Sequence, residues 1–303
     1  MWLCRFAQAS AAVVLAGTAA LRLLAWGSTD TPGTAPRWNG LAVAGWTTFL
    51  LASCLQLGLT AAQMSGLTLA EVLPHHALAS VLTGTFYGTT WKVRLVLLAA
   101  LFVVETAAFV SLRSGKKWLN RLADVAALLL AVSLAGSLVA TGHAHATEGN
   151  AWLLPMDLIH AGAAGAWPGG LLPLVILLAR ARRHPERLLP AVTITRRFSR
   201  LSVAAVGVLA LSGSLNAYAL VGTVAGLWTS TYGRLLLGKG AIFLTMVALG
   251  ALNKRLIENQ PEQNPAAAVD GLWRNVAIEC VAAVGVLLAT EALAMGTPTS
   301  SIG

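Results

Sequence analysis

A cluster of arginines lies between two long apolar runs in residues 171–210, LLPLVILLARARRHPERLLPAVTITRRFSRLSVAAVGVLA. An α-helix needs about 20 mostly apolar residues to cross a bilayer. Short loops that are rich in Lys and Arg stay on the cytoplasmic side of a membrane. The stretch therefore predicts two membrane-spanning helices that are joined by a cytoplasmic loop.

The composition of the whole chain agrees with this prediction. Of its 303 residues, 56% are hydrophobic and 11% are charged, whereas soluble domains have roughly 25% charged residues. The net charge is +9, but the basic residues lie in short loops between apolar runs, and no basic patch is interleaved with aromatic residues. We therefore expect a multi-pass membrane protein in a lipid bilayer, with no nucleic acid as a partner.

Eight apolar runs along the chain are long enough to span a bilayer. The predicted fold is therefore all-α, a bundle of eight transmembrane helices that forms a single domain, 1–303. The predicted spans are 4–26, 41–63, 91–112, 121–141, 152–179, 199–221, 233–253 and 273–295.

The distribution of Lys and Arg predicts the orientation of these spans. Segment 112–121 holds four basic residues, segment 180–200 holds seven and segment 252–274 holds three. The third, fifth and seventh loops are therefore expected in the cytoplasm, which places both termini on the outer, periplasmic side. The segments without a basic residue are 64–90, 142–151, 222–233 and 296–303.

A short pattern recurs at the outer start of two spans. Tyr87-Gly88 is followed six residues after the glycine by Arg94, and Tyr232-Gly233 is followed at the same distance by Lys239. The pattern indicates either a duplicated four-helix unit or a chance resemblance between two membrane-entering segments. The two units would be 1–141 and 152–303.

Most of the histidines lie on the outer side of this topology, so any metal chemistry is expected there. His184 is the exception, because it lies among the arginines of the cytoplasmic loop and is interpreted as a solvated loop residue. The five outer histidines are His75, His76, His143, His145 and His160.

A histidine-containing loop leads into the fifth predicted span. His143 and His145 can converge on one ion when the backbone between them is extended. Met156, Asp157 and His160 then fall within one turn and within about 100° of the helix surface. His160 lies roughly 12 Å below the start of the span, where polar side chains are costly unless they face a partner or a water-filled cavity.

The donor types in this loop and span favour copper. Cu(I) prefers Met and His, and Cu(II) prefers imidazole and carboxylate, whereas structural zinc usually brings Cys. The cysteines Cys4, Cys54 and Cys280 lie in apolar runs and are interpreted as small buried hydrophobes. The alternative to a metal site is that Asp157 and His160 only hydrogen-bond each other and a neighbouring helix.

A second pair of histidines lies in the second outer loop. His75 and His76 follow Pro74, and they are interpreted either as a copper capture site or as a solvated pair. The surrounding segment 67–82 is mildly amphipathic and is predicted to lie on the membrane surface.

Charged residues inside the spans are the remaining candidates for function, and Arg94 is one of them. Lys239 and Glu291 both lie near the outer side and are expected to pair. Glu105 and Glu279 lie a turn or two inside the cytoplasmic boundary. They mark an ion exit or a proton relay, or each pairs with a nearby basic residue.

Several motifs of the chain resemble the CopD (PcoD-like) copper-resistance membrane proteins. The resemblance covers about residues 120–257 well. It implies an eight-span protein of the bacterial inner membrane that handles copper, with a small periplasmic copper carrier of the CopC type as its partner. The motifs are TGHA at 141–144, DLIH at 157–160, GAWPGGLLPL at 165–174, FSRLSVAAVGVLALSGSLNAYALVG at 198–222 and TYGRLLLGKGAIFLTMVALGALNK at 231–254.

The resemblance also assigns positions in this chain to the family pattern, and His145 is outside that pattern. Pro168 departs from it, because the pattern has an aliphatic residue between Trp and Gly. Proline at this position predicts a bend in the fifth span. The matching residues are His143, Asp157, His160, Trp167, Gly169, Gly170, Asn216 and Lys239.

The combined prediction is a copper-binding membrane protein, not an enzyme, that moves copper or hands it on from the periplasm. His143 and His160 are the expected ligands of Cu(I) or Cu(II), and Asp157 or Met156 completes the site. Asp157 can instead orient His160 from outside the ligand shell. The outer histidines His145, His75 and His76 are expected to pass the ion inward.

Two alternatives for the function are open. A b-type haem electron-transfer protein needs two histidines that face each other from two spans, and His160 is the one histidine that lies clearly inside a span. A membrane scaffold would hold copper for another enzyme without moving it.

Overall fold

The protein is helical throughout the part of the chain that our computed structural model describes, residues 1–25, 39–111, 117–141, 153–259 and 263–295. These ranges contain no strand, which confirms the all-α prediction. The helices are α1 Trp2–Ala25, α2 Asn39–Ser65, α3 Ala77–Gly84, α4 Phe86–Ser111, α5 Lys117–Ala140, α6 Leu153–Ala166, α7 Pro168–Ala181, α8 Leu188–Val221, α9 Val224–Thr229, α10 Thr231–Glu258 and α11 Pro265–Met295.

Seven segments of the described chain are long and apolar enough to cross a membrane. Helix α4 is not among the seven. It has a similar length, 26 residues, but it carries the charged residues Lys92, Arg94 and Glu105. The seven segments are Trp2–Leu24, Gly40–Ser65, Trp118–Val139, Pro155–Ala181, Pro185–Val221, Thr231–Glu258 and Pro265–Ala294.

Two helices begin well before the spans predicted for them. Helix α8 begins at Leu188 instead of at position 199, and α11 begins at Pro265 instead of at 273. The first turns of α8 bury Ala191 and Ile194 against the bundle. Hydropathy detects only the part of a helix that is apolar on all sides. The first turns of α8 are still helical, but they have one buried side and one charged side, so hydropathy does not include them. The prediction that 188–198 is part of a loop is therefore wrong.

Ion pairs define the two ends of the bundle. At one end, Arg5 of α1 contacts Glu291 of α11, with Nε 3.1 Å from Oε2. At the other end, Arg22 of α1 donates to both oxygens of Glu105 in α4 at 2.6 and 2.7 Å and lies 2.7 Å from Asp124 of α5. We call the end with Arg5 the histidine end and the end with Arg22 the arginine end.

The buried core lies in two main clusters. One is formed by α1, α2, α4 and α5, and includes Phe49 and Leu134. The other is formed mainly by α7, α8, α10 and α11, and includes Trp167 and Leu272. Helix α1 packs against helices of both groups. The core therefore divides along the chain into an N-terminal and a C-terminal group of helices.

A break at Trp167 divides the fifth span into α6 and α7. Helix α6 ends at Ala166 and α7 begins at Pro168, because proline has no N–H to continue the ladder and its ring excludes the preceding turn. The span is therefore interrupted at the proline, as expected from Pro168, and appears as two helices. After the break, the backbone of Gly169 reaches α1, where a Cβ on Gly17 would lie 1.9 Å from the Gly169 carbonyl carbon.

Helices α4 and α10 begin with the same local geometry at the histidine end. In each case a short helix ends at an extended residue, Thr85 or Ser230. The hydroxyl of that residue accepts a hydrogen bond from the glycine N–H three residues later, at 2.9 Å from Gly88 and 2.8 Å from Gly233. A Cβ on either glycine would lie 2.2 or 2.3 Å from a carbonyl oxygen of the preceding segment. Both glycines are therefore required by close packing.

Candidate metal site

Asp157 and His160 lie together on the side of α6 that faces α8. The Nδ1 atom of His160 is 2.8 Å from the Ser212 hydroxyl oxygen. The Asn216 amide donates to Oδ1 of Asp157 at 2.5 Å. The two α6 residues are three positions apart and their partners on α8 are four apart, so both pairs lie on facing sides of antiparallel helices.

The hydrogen bonds of Ser212 fix the tautomer of His160. The Ser212 hydroxyl lies 2.6 Å from the carbonyl oxygen of Val208, and a carbonyl can only accept, so the single hydroxyl hydrogen is used there. His160 must therefore donate from Nδ1 to the Ser212 oxygen. In a neutral imidazole this leaves Nε2 with its lone pair, which is the form that a metal ion binds.

Charged side chains of opposite sign surround this pair. Lys239 of α10 lies near enough to Asp157, Glu291 and His160 to influence their charges. Among the described residues the ion pair of Glu291 is with Arg5, so the expected pairing of Lys239 with Glu291 stays a prediction. These side chains contribute two cations and two carboxylates, so their formal charges cancel.

The structure gives less information on the other predicted metal ligands, Met156, His143 and His145. Met156 lies one turn before His160 on α6 and is half-buried. His143 and His145 lie outside the described residues. Their segment joins Thr141, at the end of α5, to Leu153, at the start of α6.

The candidate capture pair lies in an exposed turn at the histidine end. The ring Nδ1 of His75 lies 2.9 Å from the Glu71 carbonyl oxygen, so Nδ1 donates and Nε2 keeps its lone pair. The Thr68 hydroxyl and N–H both donate to the Glu71 carboxylate, at 2.7 and 2.9 Å, and these bonds lower the pKa of Glu71. His76 has a positive φ of 56° at the start of α3. The turn is therefore held by local bonds that leave both rings exposed.

Within the described ranges, no group of three His, Cys, Asp or Glu side chains is placed to hold one metal ion. The three cysteines are free thiols in the structure. Cys4 is buried, as predicted, and Cys280 is half-buried, but Cys54 is exposed on the outside of α2. The prediction of burial is wrong for Cys54, because a residue in an apolar run can face outward from the bundle as well as inward.

The two acidic residues near the arginine end have different partners. Glu105 pairs with Arg22, which confirms the interpretation of a carboxylate with a basic neighbour. Glu279 instead accepts a hydrogen bond from the amide of Asn253 at 2.5 Å. No cation in the described ranges forms an ion pair with Glu279.

Sequence reasoning missed the role of Ser212. The serine lies four residues before Asn216 in the apolar stretch LSGSLNAYAL, residues 211–220. A pair of polar residues at this spacing on one side of an apolar helix was the available signal. It would have indicated a polar strip on α8 but not which helix the strip faces.

Comparison with known proteins assigns the chain to a family. The family described as "Copper resistance protein D" matches residues 192–293, and the family described as "Copper resistance protein D-like, N-terminal domain" matches residues 1–153. Copper resistance protein D of Pseudomonas syringae pv. tomato is 32% identical over 255 residues, which are 78% of this chain and 77% of that protein. The chain belongs to the copper resistance protein D family.

A second relative is similar over a shorter part of its length. Copper transport protein CutJ of Bacillus subtilis (strain 168) is 32% identical over 200 residues, which are 65% of this chain. The chain spans only 36% of the length of CutJ. No solved structure matches the chain.

Family membership and the apolar helices together make the chain a copper-related, multi-pass membrane protein, as the sequence predicted. The regions that match the copper resistance protein D family end at residue 153 and resume at 192. Asp157 and His160 lie between these regions, so their role in binding metal stays a prediction.

Proposed function

We propose that this protein binds copper at the histidine end through His160 and moves it across the membrane. The observation that supports this most directly is the hydrogen bond from His160 to Ser212. It holds the imidazole in one tautomer and leaves Nε2 free to bind a soft or borderline cation. Membership of the copper resistance protein D family supports copper as the cation.

The proposed ligand set combines His160 with donors from the segment above it. His143 supplies the second imidazole, and Asp157 or Met156 completes the site. Imidazole, carboxylate and thioether together suit copper in either oxidation state. Since Asp157 already accepts a bond from Asn216 and interacts with Lys239, it can also act by balancing charge beside the ion.

Three further histidines are proposed to receive the ion first. His75 presents an Nε2 lone pair to solvent and His76 is exposed beside it, and His145 is proposed to add a third imidazole. A CopC-like periplasmic carrier is the proposed donor of the copper. Exchange between such weak, exposed sites and the site at His160 would move copper from carrier to membrane without ATP.

The proposed topology has eight spans in the bacterial inner membrane. Helix α4 is the eighth, because its 26 residues correspond to roughly 39 Å of helix and it packs between α3 and α5. The arginine end is placed in the cytoplasm, since the basic loops lie there. Both termini and the histidine end then face the periplasm.

We also propose that the chain consists of two related four-helix units, 1–141 and 152–303. The support is the shared geometry of the starts of α4 and α10, which includes the same hydroxyl-to-glycine bond and the same close glycine contact. In the first unit α4 packs against α5, the next helix along the chain, and in the second unit α10 packs against α11.

Copper analysis of purified full-length protein in lipid nanodiscs tests the proposed site. Loss of His160 (His160→Ala) or of His143 (His143→Ala) should remove bound copper, and Ser212→Ala should weaken binding by about 10- to 100-fold, as expected when the partner of a ligand is lost. His184→Ala is the matched control, because this histidine is exposed and pairs with Glu186 at the arginine end. Equal copper in all four variants would contradict the proposal.

Two further measurements separate the proposal from its alternatives. An absorption spectrum with a Soret band would show haem in place of copper. Copper uptake into vesicles that carry wild-type protein or His160→Ala separates transport from scaffolding, because a scaffold would give the same uptake in both.

A further inference from the structure

Glu279 is a buried carboxyl group that the proposed copper site does not use. It lies near the middle of α11, its side chain is 1% exposed, and its partner Asn253 lies in the last turns of α10. This position is in the half of the bundle nearer the arginine end, whereas His160 and Lys239 lie towards the histidine end. The carboxyl is therefore separate from the candidate metal site.

The side chains of Asn253 and Glu279 leave one buried acceptor without a hydrogen-bond donor. The Asn253 amide donates from Nδ2 to Oε1 of Glu279, but the Oδ1 atom of the same amide is buried and has no donor. Asn253 is 7% exposed, so its orphaned oxygen carries the desolvation cost of an unmade hydrogen bond. A carboxylate, which can only accept, does not supply the missing hydrogen, whereas a protonated carboxyl does.

Among the described neighbours of Glu279, no positive charge is placed to balance an ionised carboxylate. On α10, Lys254 lines the same cleft, but its ammonium lies 3.8 Å from Glu258. On α11 the adjacent titratable group is the Cys280 thiol. Helices α7 and α8 contribute no charged or titratable side chain to the cleft. An ionised carboxylate within a bilayer without a cation is costly.

A cleft of about 250 Å³ leads to the pair from the side of α7, α8 and α10. Its walls carry the polar groups of Thr195, Ser199 and Ser202 among apolar side chains, and it extends to Lys254, which is exposed. A cavity of this size has room for several water molecules, and the hydroxyls together with the Asn253–Glu279 pair are the polar groups to which they would bond. Water in the cleft can therefore connect the buried carboxyl with the arginine end.

The geometry points to Glu279 as a proton-binding site of this membrane protein. A proton from water at the arginine end adds to Oε2, and the resulting O–H donates to Oδ1 of Asn253, which completes a two-bond pair between acid and amide. Release of the proton to the cleft returns the carboxylate. The site gives the protein a group that exchanges protons with the arginine end, and it does so whether or not copper is bound at His160.

Infrared spectroscopy of the copper-free, full-length protein in lipid nanodiscs tests this inference. Wild type should show the C=O stretch of a protonated carboxyl, and Glu279→Gln should lack it. Glu105→Gln is the matched control and should keep the band, because Glu105 is bound as a carboxylate by Arg22. A band of equal size in wild type and Glu279→Gln, or no such band in wild type at any pH, overturns the inference.

A second variant decides the matter if Glu279→Gln does not fold. Asn253→Leu removes the acceptor of the proposed O–H, so the same band should move to the higher frequency of a carboxyl without a hydrogen bond. An unmoved band overturns the inference.

The rate at which the band shifts after transfer into D2O tests the role of the cleft. Ser202→Phe should fill the cleft and slow this shift. Ser133→Phe on the exposed side of α5 is its control, and equal rates in the two variants overturn the role of the cleft.

Discussion

The starts of α4 and α10 have nearly the same backbone geometry, but their buried cations have different surroundings. Nine residues after Thr85 comes Arg94, and nine after Ser230 comes Lys239. Arg94 is 1% exposed and is bound by neutral groups, whereas Lys239 interacts with carboxylates. One local structure therefore holds a cation in two electrostatic settings, and the setting with carboxylates is the one beside His160.

The neutral setting of Arg94 is formed by α5. Its guanidinium donates to the Ser137 hydroxyl at 3.0 Å, to the Ser137 carbonyl at 2.8 Å and to the Thr141 hydroxyl at 2.8 Å. Its remaining Nη1 is buried without an acceptor in the described residues. Tyr87 lies against the guanidinium, with Cζ 5.9 Å from the ring centroid. Arg94 therefore ties α4 to α5 through neutral groups, and no carboxylate of the described residues forms an ion pair with it.

The charged setting of Lys239 depends on two other helices. Asp157 comes from α6 and Glu291 from α11, and each of them also has a second polar partner, Asn216 or Arg5. In the proposed copper site, a cation that balances carboxylates beside His160 would affect both stability and metal affinity. The difference between the two starts therefore supports the proposal that the copper site at His160 uses the charges around Lys239, for which the surroundings of Arg94 offer no counterpart among the described residues.

Removal of each cation should give the largest difference in stability between the two helix starts. Lys239→Met should cost about 3–5 kcal/mol in the free energy of unfolding, because it removes the cation that balances the charges of Asp157 and Glu291. Arg94→Met should cost less, about 1–3 kcal/mol, since it leaves hydroxyls that already donate to backbone carbonyls. Denaturant unfolding in detergent micelles measures both.

Two further variants control for this result. Lys239→Arg should keep most of the stability, and Asp157→Asn combined with Lys239→Met should recover part of the loss, because the cation and a carboxylate are then removed together. A larger loss for Arg94→Met than for Lys239→Met would show that the comparison is wrong.

Substitution of the paired glycines tests the similarity of the two starts. Gly88→Ala and Gly233→Ala should each lower stability by about 1–3 kcal/mol, because the new Cβ overlaps a carbonyl oxygen in both. Gly238→Ala on α10 is the control. It has nothing within 4 Å of an added Cβ and should stabilise the helix by up to about 1 kcal/mol. A loss at only one of the paired glycines would speak against a common origin.

Loss of the paired hydroxyls should have the smallest effect. Thr85→Ala and Ser230→Ala each remove the acceptor for the first N–H groups of a helix, which costs about 0.5–2 kcal/mol. Thr245→Ala is the control, since this exposed hydroxyl bonds only to the carbonyl of the preceding turn. Thermal unfolding measures the stability of all three variants. If Thr85→Ala and Ser230→Ala lose no more stability than Thr245→Ala, the two hydroxyls do not stabilise the helix starts.

The sequence predicted what depends on neighbouring residues along one helix. Apolar length located helices at all eight predicted spans, and seven of them are long and apolar enough to cross a membrane. The three-residue spacing of Asp157 and His160 placed them on one side of α6, and Pro168 predicted the break. The sequence did not predict that α8 begins at Leu188, because hydropathy falls in the first turns of this helix. Local pattern was therefore sufficient for the elements but not for their limits.

Contacts between distant parts of the chain were not accessible in the same way. Arg5 and Glu291 are 286 positions apart, and nothing in either segment marks the other as its partner. Asn253 and Glu279 belong to different helices, so the pair is recognisable only when α10 and α11 are packed. Ser212 resembles any serine in an apolar helix until α6 lies beside it.

The contact between Gly17 and Gly169 affects how the two groups of helices can move. Helix α1 is fastened to α11 by Arg5 and to α4 and α5 by Arg22. At its middle it meets the start of α7 backbone to backbone, and a Cβ on Gly17 or on Gly169 would collide with the other helix. A shift of α1 along α7 by one residue would bring a side chain into this contact, so the two glycines oppose sliding and act with the ion pairs at the ends of α1 to hold the two groups in register.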